Sequence, residues 1–173
     1  MERDQKEQEY REYLKNHIDN VQEAWKQLQL KFPDQIFVQN QELNQQISYS
    51  IQHHDESKYS VEEFEPYRAF FYPVSSYEKK EVRPLFFNAF KHHYQVNEHH
   101  WEHWIDSNGS PIDRGEKRIQ TLVEMMCDWI AMSMKFGNTA EEYFNTNSTK
   151  IKLLPNDHQY VSHILHLFYQ NNN

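Results

Sequence analysis

Histidine and aspartate residues stand at several positions where the helical spacing of apolar residues predicts a buried side chain. The chain of 173 residues contains 11 histidines, and five of them fall between positions 92 and 103. Four stretches carry the pattern, namely His17, His54-Asp55, His92-His93 with His99-His100, and Asp128. An ionised carboxylate that is buried without a partner costs several kcal/mol. A divalent metal ion supplies such a partner, and mixed imidazole and carboxylate ligands suit Mn, Fe, Co, Ni or Zn.

Helices must position these residues, because apolar residues recur at steps of three and four and no segment alternates with the period of a strand. His17 lies on the apolar stripe of the first helix. Ser60 and Glu63 have the spacing of a capping box at the start of the third helix. Tyr77–Glu81 is interpreted as a loop, since Pro84 suits the first position of the following helix.

We predict an all-α single domain over residues 1–173, a helical bundle of about six or seven helices. The predicted helical segments are Arg3–Leu30, Gln39–His54, Ser60–Phe71, Pro84–Val96, His99–Ile105, Asp113–Phe136, Ala140–Asn145 and Pro155–Tyr169. Aromatic residues make up 15% of the chain, and such residues fill a core efficiently. The aromatic side chains of EFEPYRAFFY and of Trp101, Trp104 and Trp129 are therefore interpreted as core.

Composition excludes several classes of protein and of site. The net charge of −8 disfavours attraction of long nucleic acids. Three glycines argue against a Gly-rich phosphate loop. No apolar run spans a membrane, and the N-terminal MERDQKEQEYREY lacks the hydrophobic segment of a signal peptide. Because Cys127 is the single cysteine, we expect a reducing, cytoplasmic location. From the charge and the hydropathy we expect neither a long nucleic acid nor a membrane as partner.

The order of the polar residues resembles that of a known superfamily. A histidine on an early helix, HDESK, paired histidines and a late aspartate are similar to the HD-domain superfamily of metal-dependent phosphohydrolases and phosphodiesterases. More narrowly, HDESKYS, EFEPYRAFFY, AFKHHYQVNEHHWEHW and EMMCDWIAM resemble one family of bacterial and phage proteins of unassigned function. The resemblance covers roughly residues 13–143, and the helix at 155–169 lies outside it.

This resemblance implies an all-α fold in which separate helices supply the metal ligands. The implied ligands of one or two divalent ions (Mn, Fe, Co, Ni, Zn or Mg) are His17, His54, Asp55, His93, His100 and Asp128. Asp55 would bridge two ions and, with Lys58, take part in catalysis. Lys58, Arg68 and Asn97 would contact the substrate. The later histidines occupy one short window here, whereas many phosphodiesterases of the superfamily spread them further apart.

Helix geometry gives only a partial choice within each histidine pair. On one continuous helix, His93, Asn97 and His100 share one face, and His92 and His99 share another. The alternative is that Asn97 ends the helix and caps the next one. His93 and His100 are the first choice as ligands, and His92 and His99 are the second. Glu124, one turn before Asp128, is a candidate to assist or replace it, and unused histidines are candidates to orient ligands.

The predicted function is that of a metal-dependent phosphohydrolase or phosphodiesterase. Its substrate would be a small phosphorylated compound, namely a nucleotide or a cyclic (oligo)nucleotide. Two alternatives come from different classes: a non-catalytic module that sequesters a nucleotide, and a di-iron oxygenase of the HD type. The oligomeric state stays open, with a homodimer among the options.

Overall fold

The computed structural model describes residues 1–170, which form eight α-helices and three short 3₁₀ segments. The α-helices are α1 (Glu2–Lys31), α2 (Ile36–Gln39), α3 (Gln41–Gln52), α4 (Phe64–Phe71), α5 (Ser76–Val96), α6 (Arg118–Phe136), α7 (Ala140–Asn147) and α8 (Pro155–Gln170). The 3₁₀ segments are Glu56–Tyr59, Trp101–Trp104 and Gly115–Lys117. Within residues 1–170 the only β pairing is one isolated bridge between Ile105 and Pro111, which confirms the all-α single domain. None of these helices is long and apolar enough to cross a membrane.

Helices α1 and α6 pack along each other and form the frame of the bundle, with α3 against both of them and α8 against α6. The larger apolar core lies on this frame and includes Val21 and Leu28 of α1, Met126 and Ile130 of α6, and Phe168 of α8. Burying one such side chain stabilises a fold by about 1.5–3 kcal/mol. The apolar core on α1, α6 and α8 is therefore a rigid support for the side chains that these helices carry.

A second, smaller apolar cluster lies where α4 packs on α5 and on α1. It contains Tyr10, Leu14, Tyr67 and Ala89. Along α1, His17 falls between Leu14 of the small cluster and Val21 of the large core. His17 is therefore held in place between the two apolar clusters.

Several helices occur where apolar periodicity predicts them. Helices α1, α3 and α8 begin and end within two residues of the predicted limits. Gly137 ends α6 in the left-handed conformation, with a φ of 78°. The start of α6 was predicted too early, because the 3₁₀ segment Gly115–Lys117 precedes the helix.

The start of α5 differs from the prediction. The segment Tyr77–Glu81 is helical, and Pro84 lies inside α5 rather than at its first position. Ser75 caps the helix, since its side chain accepts a hydrogen bond from the Glu78 backbone N–H, while Glu78 accepts one from the Val74 N–H. This Ser-x-x-Glu pattern is a helix start signal, so α5 begins before Pro84 and contains the proline despite the backbone hydrogen bond that it removes.

The predicted capping box at Ser60 and Glu63 does not form. Helix α4 begins at Phe64, and the Glu63 side chain makes no cap hydrogen bond. Instead, both carboxylate oxygens of Glu63 are bonded to histidines of α5. Glu63 therefore makes a tertiary contact instead of a helix cap, and it is fully buried beside those two rings.

Candidate metal centre

Asp55 occupies the middle of the polar residues and has an unusual backbone conformation. Helix α3 ends at Gln52, His53 follows as its C-cap, and Asp55 then adopts a left-handed φ of 60°. Among residues 1–170 it is the only non-glycine with a positive φ. Such a conformation costs free energy and is found at functional sites. The turn buries the carboxylate, which is 2% exposed, with its two oxygens facing different sets of histidines.

The first group of side chains surrounds Asp55 Oδ2 and consists of His17, His54 and Asp128. The Nε2 atom of His17 lies 3.4 Å from Asp55 Oδ2 and 3.2 Å from Asp128 Oδ1. The Nε2 atom of His54 lies 3.6 Å from Asp55 Oδ2 and 3.9 Å from Asp128 Oδ1. Helices α1 and α6 and the turn after α3 thus bring two imidazoles and two carboxylates to one point.

The second group faces Asp55 Oδ1 and consists of His93, His99 and His100. The Nε2 atoms of His93 and His99 lie 3.2 and 3.7 Å from this oxygen. One ligand atom from each of the three histidines and one from Asp55 lie within 4.8 Å of one another. One carboxylate therefore stands between two clusters of donor atoms, each compact enough for a metal ion.

Two buried glutamates fix the orientation of the rings. Glu124 Oε1 accepts the Nδ1–H of His54 at 3.0 Å and lies 3.2 Å from Nδ1 of His99. Glu63 Oε2 accepts the Nδ1–H of His93 at 2.7 Å. A histidine that donates from Nδ1 to a carboxylate presents an Nε2 lone pair, as metal-bound histidines do. The glutamates therefore specify Nε2 as the free ring nitrogen.

Four atoms at the centre stay without hydrogen bonds in the part of the chain that the structure describes. They are Nε2 of His54, His93 and His99 and Oδ1 of Asp55, and all four are buried. Buried polar atoms are nearly always satisfied, so converging exceptions call for a ligand. Their chemistry, imidazole nitrogen and carboxylate oxygen, is that of a site for a divalent transition metal.

The charged groups at the centre shift one another's pKa values. Burial opposes ionisation of Asp55, but His54, Lys58 and His93 hold its pKa well below the usual range. Burial likewise disfavours a charged His17, yet its hydrogen bonds to Asp128 and Asp55 raise its pKa to about 9. Burial and the neighbouring His99 lower the pKa of His100, which keeps that ring neutral. The buried carboxylates are thus stabilised by nearby positive charge, which protons on the histidines or a divalent ion can supply.

The structure brings together most of the residues that the sequence singled out. His17, His54, Asp55, His93, His100 and Asp128 all lie at the centre, and so does the second-choice His99. His92 does not, because its side chain is 37% exposed and its Nδ1 donates to Glu63. The sequence treated His99 and His100 as alternatives, but α5 ends at Val96 and the turn that follows lets both rings face Asp55.

The three predicted substrate contacts have different positions. Lys58 donates a hydrogen bond to Asp55 Oδ2 and lines a cavity beside the centre. Asn97 instead donates to Ser57 Oγ and to the His93 carbonyl, so it holds the end of α5.

Arg68 does not reach the centre, which corrects its predicted role. Its side chain is fully buried and pairs with Glu65 and Glu78. A guanidinium that already has two carboxylate partners joins α4 to the start of α5 and is not available to a phosphate.

A cleft with two lobes opens beside the centre, and sequence reasoning missed its walls. The lysine lobe, of about 450 Å³, is lined by Lys58, His17, His93 and a set of aromatic residues that includes Tyr10, Tyr13, Tyr67, Phe71 and Tyr72. The tryptophan lobe, of about 300 Å³, is lined by His99, Glu102, Asn138 and aromatic residues that include Trp101, Trp129 and Tyr143. His100 and Asp128 line both lobes. Many aromatic residues that were interpreted as core therefore face the cleft, which residue type alone does not reveal.

Comparison with known proteins gives a family but no activity. Residues 6–168 match a family of unknown function, DUF5662. No curated protein and no solved structure matches the chain. The matched region contains Asp55, both histidine groups, both glutamates and the lining of both lobes, whereas the wider resemblance to HD-domain enzymes stays a prediction.

Proposed function

The chain belongs to the DUF5662 family, and we propose from its site that it is a metal-dependent phosphohydrolase or phosphodiesterase. The substrate would be a small phosphorylated compound, namely a nucleotide or a cyclic (oligo)nucleotide. One observation carries the proposal: a buried Asp55 carboxylate lies between two groups of histidines, and the unbonded Nε2 atoms of His54, His93 and His99 converge beside it. The resemblance of HDESK and the later histidines to HD-domain hydrolases agrees with this reading.

The donor set fits one or two divalent ions. The first group offers His17, His54 and Asp128, and the second offers three imidazoles, with Asp55 common to both groups. His99 of the second group also forms a cluster with His54 and Asp128. Imidazole and carboxylate ligands suit Mn, Fe, Co, Ni and Zn. When bound, such ions supply Lewis acidity, which polarises a phosphoryl oxygen and makes water a nucleophile near neutral pH.

The chain's own residues contribute charge and exclusion of water. Lys58 is only 14% exposed and stays beside Asp55, where an ammonium group stabilises the negative charge that develops on a phosphoryl group. Burial would lower the pKa of Lys58, but Asp55 raises it above its ordinary value, so the side chain remains cationic. The aromatic walls of both lobes reduce the access of bulk water and strengthen these interactions.

The proposal is tested with protein purified without a histidine tag. Its metal content is measured, and the protein loaded with Mn, Fe, Co, Ni or Zn is assayed against phosphomonoesters, phosphodiesters, nucleotides and cyclic nucleotides. We expect metal-dependent release of product from at least one class, and loss of both metal and activity in the Asp55→Asn variant. Metal-replete protein that hydrolyses none of these compounds would falsify the proposal.

The same preparations distinguish the two alternatives. Recovery of an intact nucleotide from the denatured complex, without turnover, would replace hydrolysis by sequestration. Oxygen consumption that depends on bound iron, together with absence of phosphate release, would replace it by di-iron oxygenase chemistry. Hydrolysis by the Mn- or Zn-loaded protein under anaerobic conditions would exclude both.

A further inference from the structure

Two buried tyrosines in the lysine lobe have hydroxyl groups without a partner. Tyr10 is 1% exposed and Tyr67 is 6% exposed. Within the described chain neither hydroxyl makes a hydrogen bond. Both residues line the lobe together with Lys58. A buried hydroxyl that lacks a hydrogen-bond partner is disfavoured. Burying these two hydroxyls therefore costs free energy, for which packing of the rings alone gives no reason.

The two phenols are tied to the metal centre by their neighbours. Tyr10 lies two helical turns before His17 on α1, so both side chains point to the same side of that helix. The ring of Tyr67 on α4 contacts the ring of His93, with centroids 5.8 Å apart. The Lys58 ammonium lies 5.7 Å from the centroid of the same Tyr67 ring. The phenols therefore border the lysine lobe next to the residues of the metal centre.

The polar groups of this lobe form a surface that favours an anion. A tyrosine hydroxyl is protonated near neutral pH and donates a hydrogen bond, and a lysine ammonium only donates. Lys135 adds a second ammonium to the lining and stacks over the Tyr13 ring at 3.8 Å. The one carboxylate among the lining residues is Asp128, which belongs to the metal centre. A ligand with several acceptor oxygens, such as a phosphoryl group, matches these donors.

We propose that the hydroxyls of Tyr10 and Tyr67, together with the Lys58 ammonium, form an anion subsite that holds the phosphoryl oxygens of the substrate next to Asp55. This inference rests on the proposed function for the identity of the anion. It assigns the lysine lobe to the phosphate and leaves the tryptophan lobe for the organic part of the substrate. Tyr10 and Tyr67 are then substrate-binding residues, although their burial resembles that of core residues.

The test measures binding of inorganic phosphate rather than turnover. Phosphate is titrated by calorimetry into the metal-loaded wild type and into the Tyr10→Phe and Tyr67→Phe variants, each of which loses one oxygen and keeps its ring. Loss of a hydrogen bond to a charged group corresponds to about tenfold weaker binding or more. We expect that change in each variant, with the metal content and melting temperature of the wild type or a higher melting temperature.

Tyr160→Phe is the matched control, because the Tyr160 hydroxyl on α8 is also buried without a hydrogen bond in residues 1–170 but lies outside the lobe. It should bind phosphate as the wild type does. If one active-site variant fails to fold, the other still decides the result. Phosphate affinity that is absent in the wild type, or unchanged in a folded variant, overturns the subsite. Affinity that depends on the tyrosines in a protein that hydrolyses nothing supports the subsite and contradicts only the proposed function.

Discussion

The two groups around Asp55 differ in charge and in how the chain holds them. The first group combines His17 and His54 with a second carboxylate, Asp128. The second group has three imidazoles around the shared Asp55, and its His99 also lies close to Asp128. Oxygen-rich sites suit harder ions such as Mn and Mg, whereas imidazole-rich sites suit Zn, Fe, Co and Ni. The comparison predicts that two positions sharing one carboxylate would differ in their metal preference.

The groups also differ in backbone support. His17 and Asp128 lie within α1 and α6, whose packing forms the frame of the bundle. His99 and His100 follow the end of α5, in the turn before a single 3₁₀ segment. A position inside a packed helix is fixed by many backbone hydrogen bonds, while a turn depends more on side-chain partners. We therefore expect His99 and His100 to depend more strongly on bound metal for their order than His17 and Asp128 do.

The largest effect is expected from the residue that both groups share. Asp55→Asn removes the charge, and asparagine tolerates the left-handed φ at this position. All of the bound metal should be lost, while the helical circular dichroism spectrum remains that of the wild type. Elemental analysis of the purified protein measures the loss. Asp34→Asn, at an exposed acid between α1 and α2, is the control, and full metal content in Asp55→Asn would contradict the shared role.

A smaller effect is expected when only one group is changed. Asp128→Asn removes the second carboxylate of the first group, and His99→Gln removes one imidazole of the second. Each variant should keep about half of the metal, because the other position retains its ligands. Calorimetric titration should show weaker Mn binding in Asp128→Asn and weaker Zn binding in His99→Gln. Equal loss of both metals in both variants would show that the two groups form a single site.

The next effect concerns the glutamates behind the ligands. Glu63 holds His93 of the second group, whereas Glu124 lies against His54 and His99 and therefore supports both groups. Replacing such a partner by glutamine should weaken metal binding by about 10- to 100-fold. Glu63→Gln should act on one ion and Glu124→Gln on both.

Competition with a chelator measures these affinities. Glu62→Gln, next to Glu63 but exposed, is the matched control. If Glu63→Gln weakened both ions as much as Glu124→Gln does, the assignment of each glutamate to its group would be wrong.

The sequence predicted the first group more fully than the second for a physical reason. His17 and Asp128 lie within long helices, where a period of 3.6 determines which side chains share a face. The choice within the later histidine pairs depended on whether the helix continued through Asn97 or ended there, and α5 ends at Val96. Glu63 was assigned to a local cap because its true partners are about 30 residues away, and local patterns carry no information on such contacts. The lobes were missed for the same reason, since a tyrosine that lines a cavity has the same helical spacing as one in a core.

The smallest effect is expected from the histidine that the structure separates from the centre. His92 shares Glu63 with His93, but its ring is partly exposed and lies outside the donor clusters. His92→Gln should therefore change metal affinity by less than the roughly tenfold loss that follows removal of a ligand's carboxylate partner. His93→Gln, its neighbour on α5, should abolish binding at the second group. Chelator competition on the two variants measures the difference, and equal losses would place His92 among the ligands and reverse the distinction between the two neighbouring rings.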